Sequence, residues 1–148
     1  MAMNMKNITR ILSIIIITIV TMGSTSCREL ALNGDLDAQW QVMTLDYPDG
    51  TQSAPGQYYY CFYRHTANLT TPGLYPITAN LTYDGDDLTL EFPYVSSPTQ
   101  LAPWGITVPD DATKPQEGWT IHYTVNHLSS KKLVMTTDLG ITITCRKF

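Results

Sequence analysis

Few residues in this chain have reactive chemistry, and their spacing limits what they can do. There are three cysteines, Cys27, Cys61 and Cys145, and three histidines, His65, His122 and His127. Metal ligands recur at short, regular spacings, and a nucleophile needs a base within reach. None of these residues stands at such a spacing with another, or with Asp or Glu. No Gly-x-Ser-x-Gly or His-Glu-x-x-His occurs. The densest carboxylate group is Asp84-Gly85-Asp86-Asp87. It lacks the alternating ligands and distal Glu of a calcium loop, whereas Asp-Gly suits a tight turn. Asp110-Asp111, set between prolines, reads as solvated loop. The sequence therefore predicts no catalytic residue, no metal site and no cofactor, and the expected function is not enzymatic.

Cys27 has a context of its own. Lys6 and Arg10 precede an apolar run over residues 11–20, and Gly23-Ser24-Thr25-Ser26 then lead into Cys27. A basic start, an apolar centre and small residues at the end are the parts of an export signal. The apolar stretch over residues 8–22 spans only ~22 Å as a helix, against ~30 Å of bilayer hydrocarbon, so a cleaved signal is preferred to a spanning helix. The segment Ser24-Thr25-Ser26-Cys27 resembles the lipobox of bacterial lipoproteins. That resemblance implies cleavage before Cys27, diacylglyceryl transfer to its sulfur and acylation of its new amino group. Ser24 stands where the motif usually has Leu, but Ser24 and Ser26 also suit the ordinary signal peptidase, which would cut the same bond. The expected organisation is a signal peptide over 1–26, a lipidated polar tether over 27–37 and one domain over 38–148.

Losing Lys6 and Arg10 with the leader takes the formal charge from −4 to −6 on the remaining 122 residues. An acidic surface of dispersed charges argues against a nucleic-acid partner and against electrostatic docking to anionic lipid. Membrane attachment would rest on the acyl chains of Cys27, where two or more hold stably. No acidic run follows in Arg28-Glu29-Leu30-Ala31-Leu32, which favours an outer-membrane anchor facing the periplasm.

The elements that must position everything else are strands. Alternating segments bounded by Gly, Pro, Asn, Asp and Ser read as an antiparallel meander. The predicted strands cover 39–46, 57–65, 77–83, 88–92, 119–126, 133–137 and 141–148, with an eighth at 67–71 or 106–108. Trp119, Ile121, Tyr123 and Val125 share one face, and Thr120, His122 and Thr124 the other. Ile141, Ile143 and Cys145 likewise oppose Thr142, Thr144 and Arg146. The expected fold class is all-β, a closed up-and-down barrel of about eight strands, with a two-sheet sandwich as the alternative. Cys61 and Cys145 remain either a disulfide in an oxidising compartment or two thiols acting as small hydrophobes.

This pattern resembles the lipocalin-like lipoproteins of Bacteroidota, which join a signal peptide and a lipid-accepting cysteine to a small barrel. The resemblance implies that Trp40, in the first strand, closes one barrel end and that Arg146, in the last strand, packs on its indole face. Such a cation–π contact is worth ~0.5–2 kcal/mol. Ala38 stands where the family has Gly two residues before the Trp.

Two binding functions then compete. A small apolar ligand would lie in the barrel or under its loops, lined by Trp119, Ile121, Tyr123, Leu133, Met135, Ile141 and Ile143. A protein partner in the envelope would instead use Tyr58 and Tyr60, from a strand aromatic on both faces, and Trp104. Trp104 lies in the long stretch 93–117, which holds five of the nine prolines. It is expected either to cap the mouth or meet a partner, or to fold back as an apolar plug.

Overall fold

The computed structural model describes residues 31–96, 98–107 and 116–148. The leader and Cys27 lie outside the described residues. Among the described residues nine strands form one antiparallel sheet: β1 (Gln39–Asp46), β2 (Gln52–Ser53), β3 (Tyr59–Tyr63), β4 (Thr66–Thr70), β5 (Ile77–Asp84), β6 (Asp87–Val95), β7 (Gln116–Leu128), β8 (Lys132–Thr137) and β9 (Thr142–Lys147). Each pairs with its neighbour in chain order except that β2 hangs from β1, which pairs onward with β3. β9 returns to β1, with Trp40 opposite Lys147 and Leu45 opposite Ile143. Eight strands therefore close a barrel, and β2 is an extra hairpin strand. The sandwich alternative does not hold.

Sequence alternation sets which side chains fill it. In β3 and β4, Tyr60, Phe62, Ala67 and Leu69 are buried, and Leu88, Leu90 and Phe92 are buried in β6. The eighth barrel strand is β4, so the expectation at 67–71 is met within a residue; the alternative at 106–108 lies partly outside the described residues, and Ile106 and Thr107 are not in a strand. Two bulges repair the pattern where strict alternation would fail. In β1 the register slips between Val42 and Thr44, leaving Met43 exposed, so Trp40, Val42 and Leu45 all point inward. In β7 it slips between Val125 and His127. A bulge inserts one residue and bends the strand, as closing a barrel requires.

Antiparallel connections alternate between the barrel's two ends. One end carries the β3–β4, β5–β6 and β7–β8 turns and both ends of the described chain. The β3–β4 turn needs Arg64 at φ 54. A carboxylate oxygen of Asp37 accepts the Arg64 N–H at 3.0 Å, and the Asn33 amide donates to the Arg64 carbonyl at 2.6 Å. Residues 31–37, read from sequence as tether, are thus folded under the barrel. Their 3-10 turn Gly34–Leu36 buries Leu36, whose carbonyl accepts the Trp40 indole N–H at 2.9 Å.

The cation over that indole is not Arg146. Lys147 Nζ lies 5.9 Å from the Trp40 ring centroid, while Arg146 is exposed and its Nε donates to Gln41 Oε1 at 3.0 Å. The reason is the two-residue period of β9. Cys145 faces inward, so Lys147 shares its side and Arg146 must point out.

Cys61 and Cys145 are free thiols. They sit on strands separated by β1, with Cys61 opposite Gln39 and Cys145 opposite Val42, so they are more than about 10 Å apart, beyond the ~7 Å limit for a bridge. Cys145 is buried inside the barrel, whereas Cys61 faces outward, with its sulfur 3.6 Å from Thr70 Oγ1. Desolvation pushes the Cys145 thiol up to about 12.

Candidate functional site

The other barrel end is where side chains gather without being fully packed. It carries the β1–β3, β4–β5, β6–β7 and β8–β9 connections. The stretch expected to be a long irregular loop begins as strand, since β6 runs through Pro93 to Val95. It continues as a 3-10 helix, Pro98–Trp104, which plugs the mouth. Leu101, Trp104 and Ile106 are buried there. Gly105 makes the insertion possible. At φ +75, a Cβ on it would meet Ile143 Cδ1 at 2.9 Å and Leu45 Cδ2 at 3.1 Å, so only glycine lets the backbone approach the inner wall.

Trp104 is held on three sides. Its indole N–H donates to the Tyr59 carbonyl at 3.0 Å, and Tyr58 packs edge-on at 4.8 Å between centroids. The Trp104 carbonyl accepts the Tyr60 hydroxyl at 2.5 Å. Because that hydroxyl has one proton, the Tyr123 hydroxyl at 3.4 Å must be the donor to Tyr60. Burial pushes both phenols up from the ordinary tyrosine range, so they stay protonated hydrogen-bonding groups.

Clefts surround this plug. One of 340 Å³ is lined by Ile106, Trp119, Ile121 and Leu139 together with Thr107, Thr120, His122, Thr137 and Asp138. A second of 470 Å³ runs from Tyr58 and Trp104 to Leu74 and Tyr75. Further grooves of 410, 360 and 230 Å³ border Gln100, Ala102 and Gly105 respectively. The first cleft has a structural cause. β7 pairs with β6 down to Gln116, yet with β8 only from Tyr123. Over residues 118–122 one edge of β7 has no strand partner among the described residues, and the cleft opens along it.

The sequence-nominated residues divide accordingly. Trp119 and Ile121 are half-buried and line the 340 Å³ cleft. Tyr123, Leu133, Met135 and Ile143 are buried in the core, where they meet other side chains rather than a cavity wall of the clefts described. Ile141 is buried beside the plug, along the groove at Gly105. Tyr60 points into the barrel and Tyr58 lies outside the strand against the plug. Of the two outer aromatics of β3, Tyr59 is covered by Phe148 at 5.0 Å and Tyr63 is exposed. Sequence reasoning missed Leu139 and Ile106 as cleft walls, and Leu74 and Tyr75 as exposed apolar groups. His122 is exposed, with Nδ1 3.2 Å from Thr89 Oγ1. Among the described residues no cluster of His, Cys, Asp or Glu could hold a metal ion.

Comparison with known proteins agrees with this architecture. A family model described as a lipocalin-like domain matches residues 20–148. A crystal structure of a lipocalin-like protein from Bacteroides uniformis superposes with a TM-score of 0.57 at 20% identity, covering 78% of this chain and all (100%) of that one. An uncharacterized protein from Bacteroides eggerthii superposes at 0.53 with 17% identity, covering 75% and 98% respectively. No curated protein matches the chain. A closed eight-stranded barrel, capped at Trp40 and matched over most of its length by that model, places the chain in the lipocalin-like family.

Proposed function

We propose that this protein is a non-enzymatic binding module of the cell envelope, anchored through acyl chains on Cys27. In this reading it takes a small, largely apolar ligand at the barrel mouth rather than at the barrel centre. The observation that carries it is the 340 Å³ cleft walled by Ile106, Trp119, Ile121 and Leu139. Its size falls in the range of small-molecule sites, which are mostly apolar with a few polar groups at the margin. Asp138, Thr120 and His122 supply polar groups within the lining, and the unpaired β7 edge adds main-chain donors and acceptors. The barrel interior offers less, because Trp40, Tyr60, Phe92 and Met135 already fill it.

Native mass spectrometry of the protein released from its own membrane tests this. The expected spectrum shows acyl chains on Cys27 and a one-to-one small-molecule adduct that Leu139→Asp removes. A spectrum with no adduct, from wild-type protein that rebinds no apolar probe, would overturn the ligand reading. A protein partner is the second reading, favoured by Leu74 and Tyr75, which are 66% and 96% exposed beside the Tyr58–Trp104 cleft. A stoichiometric protein complex in the same spectrum would select it.

A further inference from the structure

Net charge alone suggests a dispersed acidic surface, but the structure segregates its cations. All five Lys and Arg among the described residues, Arg64, Lys131, Lys132, Arg146 and Lys147, lie at the Trp40 end. The described mouth carries Asp46, Asp49 and Asp138 and no cation. Four of the five form one patch. Lys132 and Arg146 are direct cross-strand partners, Lys147 donates its N–H to the Lys131 carbonyl at 3.0 Å, and all four side chains are exposed. Like charges directly opposite each other in a sheet are destabilising. Yet among the described residues no Asp or Glu side chain pairs with any of these four; Arg146 bonds Gln41 and Lys147 sits over Trp40. The acidic turn Asp84–Asp87 is the neighbouring turn on the same rim, and Asp35 and Asp37 lie beneath the barrel, so the cations are gathered on the β7–β9 side of an end that also carries acids. Next to the cations, Phe148 is 69% exposed and packs on Tyr59.

We infer that this patch is a docking surface for an anionic membrane, which holds the barrel with the Trp40 end toward the lipid and the mouth away from it. Repulsive cations without acidic partners gain most from a surface that supplies negative charge, and an exposed aromatic beside them suits the headgroup region. The chain enters at the same end. Ala31 lies under the barrel, and Cys27 is four residues earlier, within ~14 Å along an extended chain. An acyl anchor on Cys27, the reading proposed above, brings this end to the bilayer, and the patch then sets its orientation.

The test uses the protein purified from its own envelope, added to vesicles of phosphatidylcholine alone or with 30% phosphatidylglycerol. Flotation is measured together with the rate at which a neutral reagent acylates Lys131, Lys132 and Lys147. Flotation on pure phosphatidylcholine reads the acyl anchor. Slower lysine labelling in the anionic vesicles, reversed by 0.5 M NaCl, reads the patch. The expected slowing is at least fivefold, and Arg146→Gln should weaken it, since each cation contributes about fivefold in binding. Flotation on both vesicle types with equal labelling rates would overturn the docking surface and leave the anchor standing. Flotation only on anionic vesicles would support the surface and remove the anchor, and flotation on neither would remove both.

Discussion

Each end of this barrel is closed by a tryptophan whose indole N–H is donated to a main-chain carbonyl, yet the two closures differ in kind. Trp40 sits in β1, between Tyr60 of β3 and Lys147 of β9, so ladder bonds hold it from both sides. Leu36 covers it from below. Trp104 sits on a 3-10 helix that belongs to no ladder and is bordered by clefts. Closure by strands ties the Trp40 end to global unfolding, whereas closure by a docked plug leaves the mouth free to open locally. Ligand-binding regions are commonly drawn from such less stable parts of a fold.

Substituting the two tryptophans is the most forceful way to break that contrast. Trp40→Ala should cost about 3–5 kcal/mol of global stability in denaturant unfolding. Trp104→Ala should cost less, about 2–3 kcal/mol, because the loss cannot exceed the docking energy of the plug. Hydrogen exchange over residues 98–106 should accelerate in Trp104→Ala while β1 and β9 keep their protection. Equal global losses, with protection falling everywhere together, would put both closures in one cooperative unit.

Gly105→Ala should destabilise by about 1–3 kcal/mol, through overpacking against Ile143 and a left-handed φ that alanine resists. A loss confined to the plug, seen in exchange rates, sharpens the contrast; an unchanged melting temperature would contradict the tight approach. Tyr60→Phe removes the donor to the Trp104 carbonyl and should cost about 1–2 kcal/mol. Its effect should be near-additive with distant closed-end changes and non-additive with Trp104→Ala, as a double-mutant cycle would show.

Alkaline pH probes the core common to both ends. Cys145, Tyr60 and Tyr123 are all raised by burial above their ordinary values of 9.0 and 10.0. The unfolded chain therefore releases these protons first as pH rises. Their contribution is complete below pH 9 and is lost above it, at no more than about 1.4 kcal/mol per pH unit for each group. Thermal melting at pH 8 to 11 should show the decline, and Tyr123→Phe should make it shallower. A flat profile would mean that these groups are open to solvent.

The fold was legible because alternation is a local signal. The strand 39–46 is read to the residue, and the inward set Trp119, Ile121, Tyr123 and Val125 follows from the period alone. The eighth strand, Thr66–Thr70, was harder because five residues with polar Thr and Asn at alternate positions resemble a loop. The folding of residues 31–37 rests on bonds from Asn33 and Asp37 to a turn about 30 residues away, which no local pattern announces. Proline content suggested an irregular stretch at 93–117, but prolines also start 3-10 turns and tolerate sheet positions. The candidate site was half legible. Trp119 and Ile121 were nominated as inward residues, but the cleft they line exists because β8 ends at Thr137, opposite Tyr123, and leaves one edge of the rest of β7 without a strand partner among the described residues. Register between strands is a tertiary property, so Leu139 and Ile106 could not be placed against them from sequence. The pairing of Trp40 with Arg146 failed for a local reason: β9 parity already placed Arg146 outside.

The central claim is that ligand goes to the mouth cleft and not to the barrel interior. Methyl-resolved NMR during titration with a small apolar probe, 1-anilinonaphthalene-8-sulfonate, tests it most directly. The predicted result is a set of shifts at Ile106, Ile121 and Leu139, with the Trp119 indole moving alongside and Leu133, Met135 and Ile143 unchanged. Shifts centred on Leu133, Met135 and Ile143, with the mouth residues silent, would contradict it.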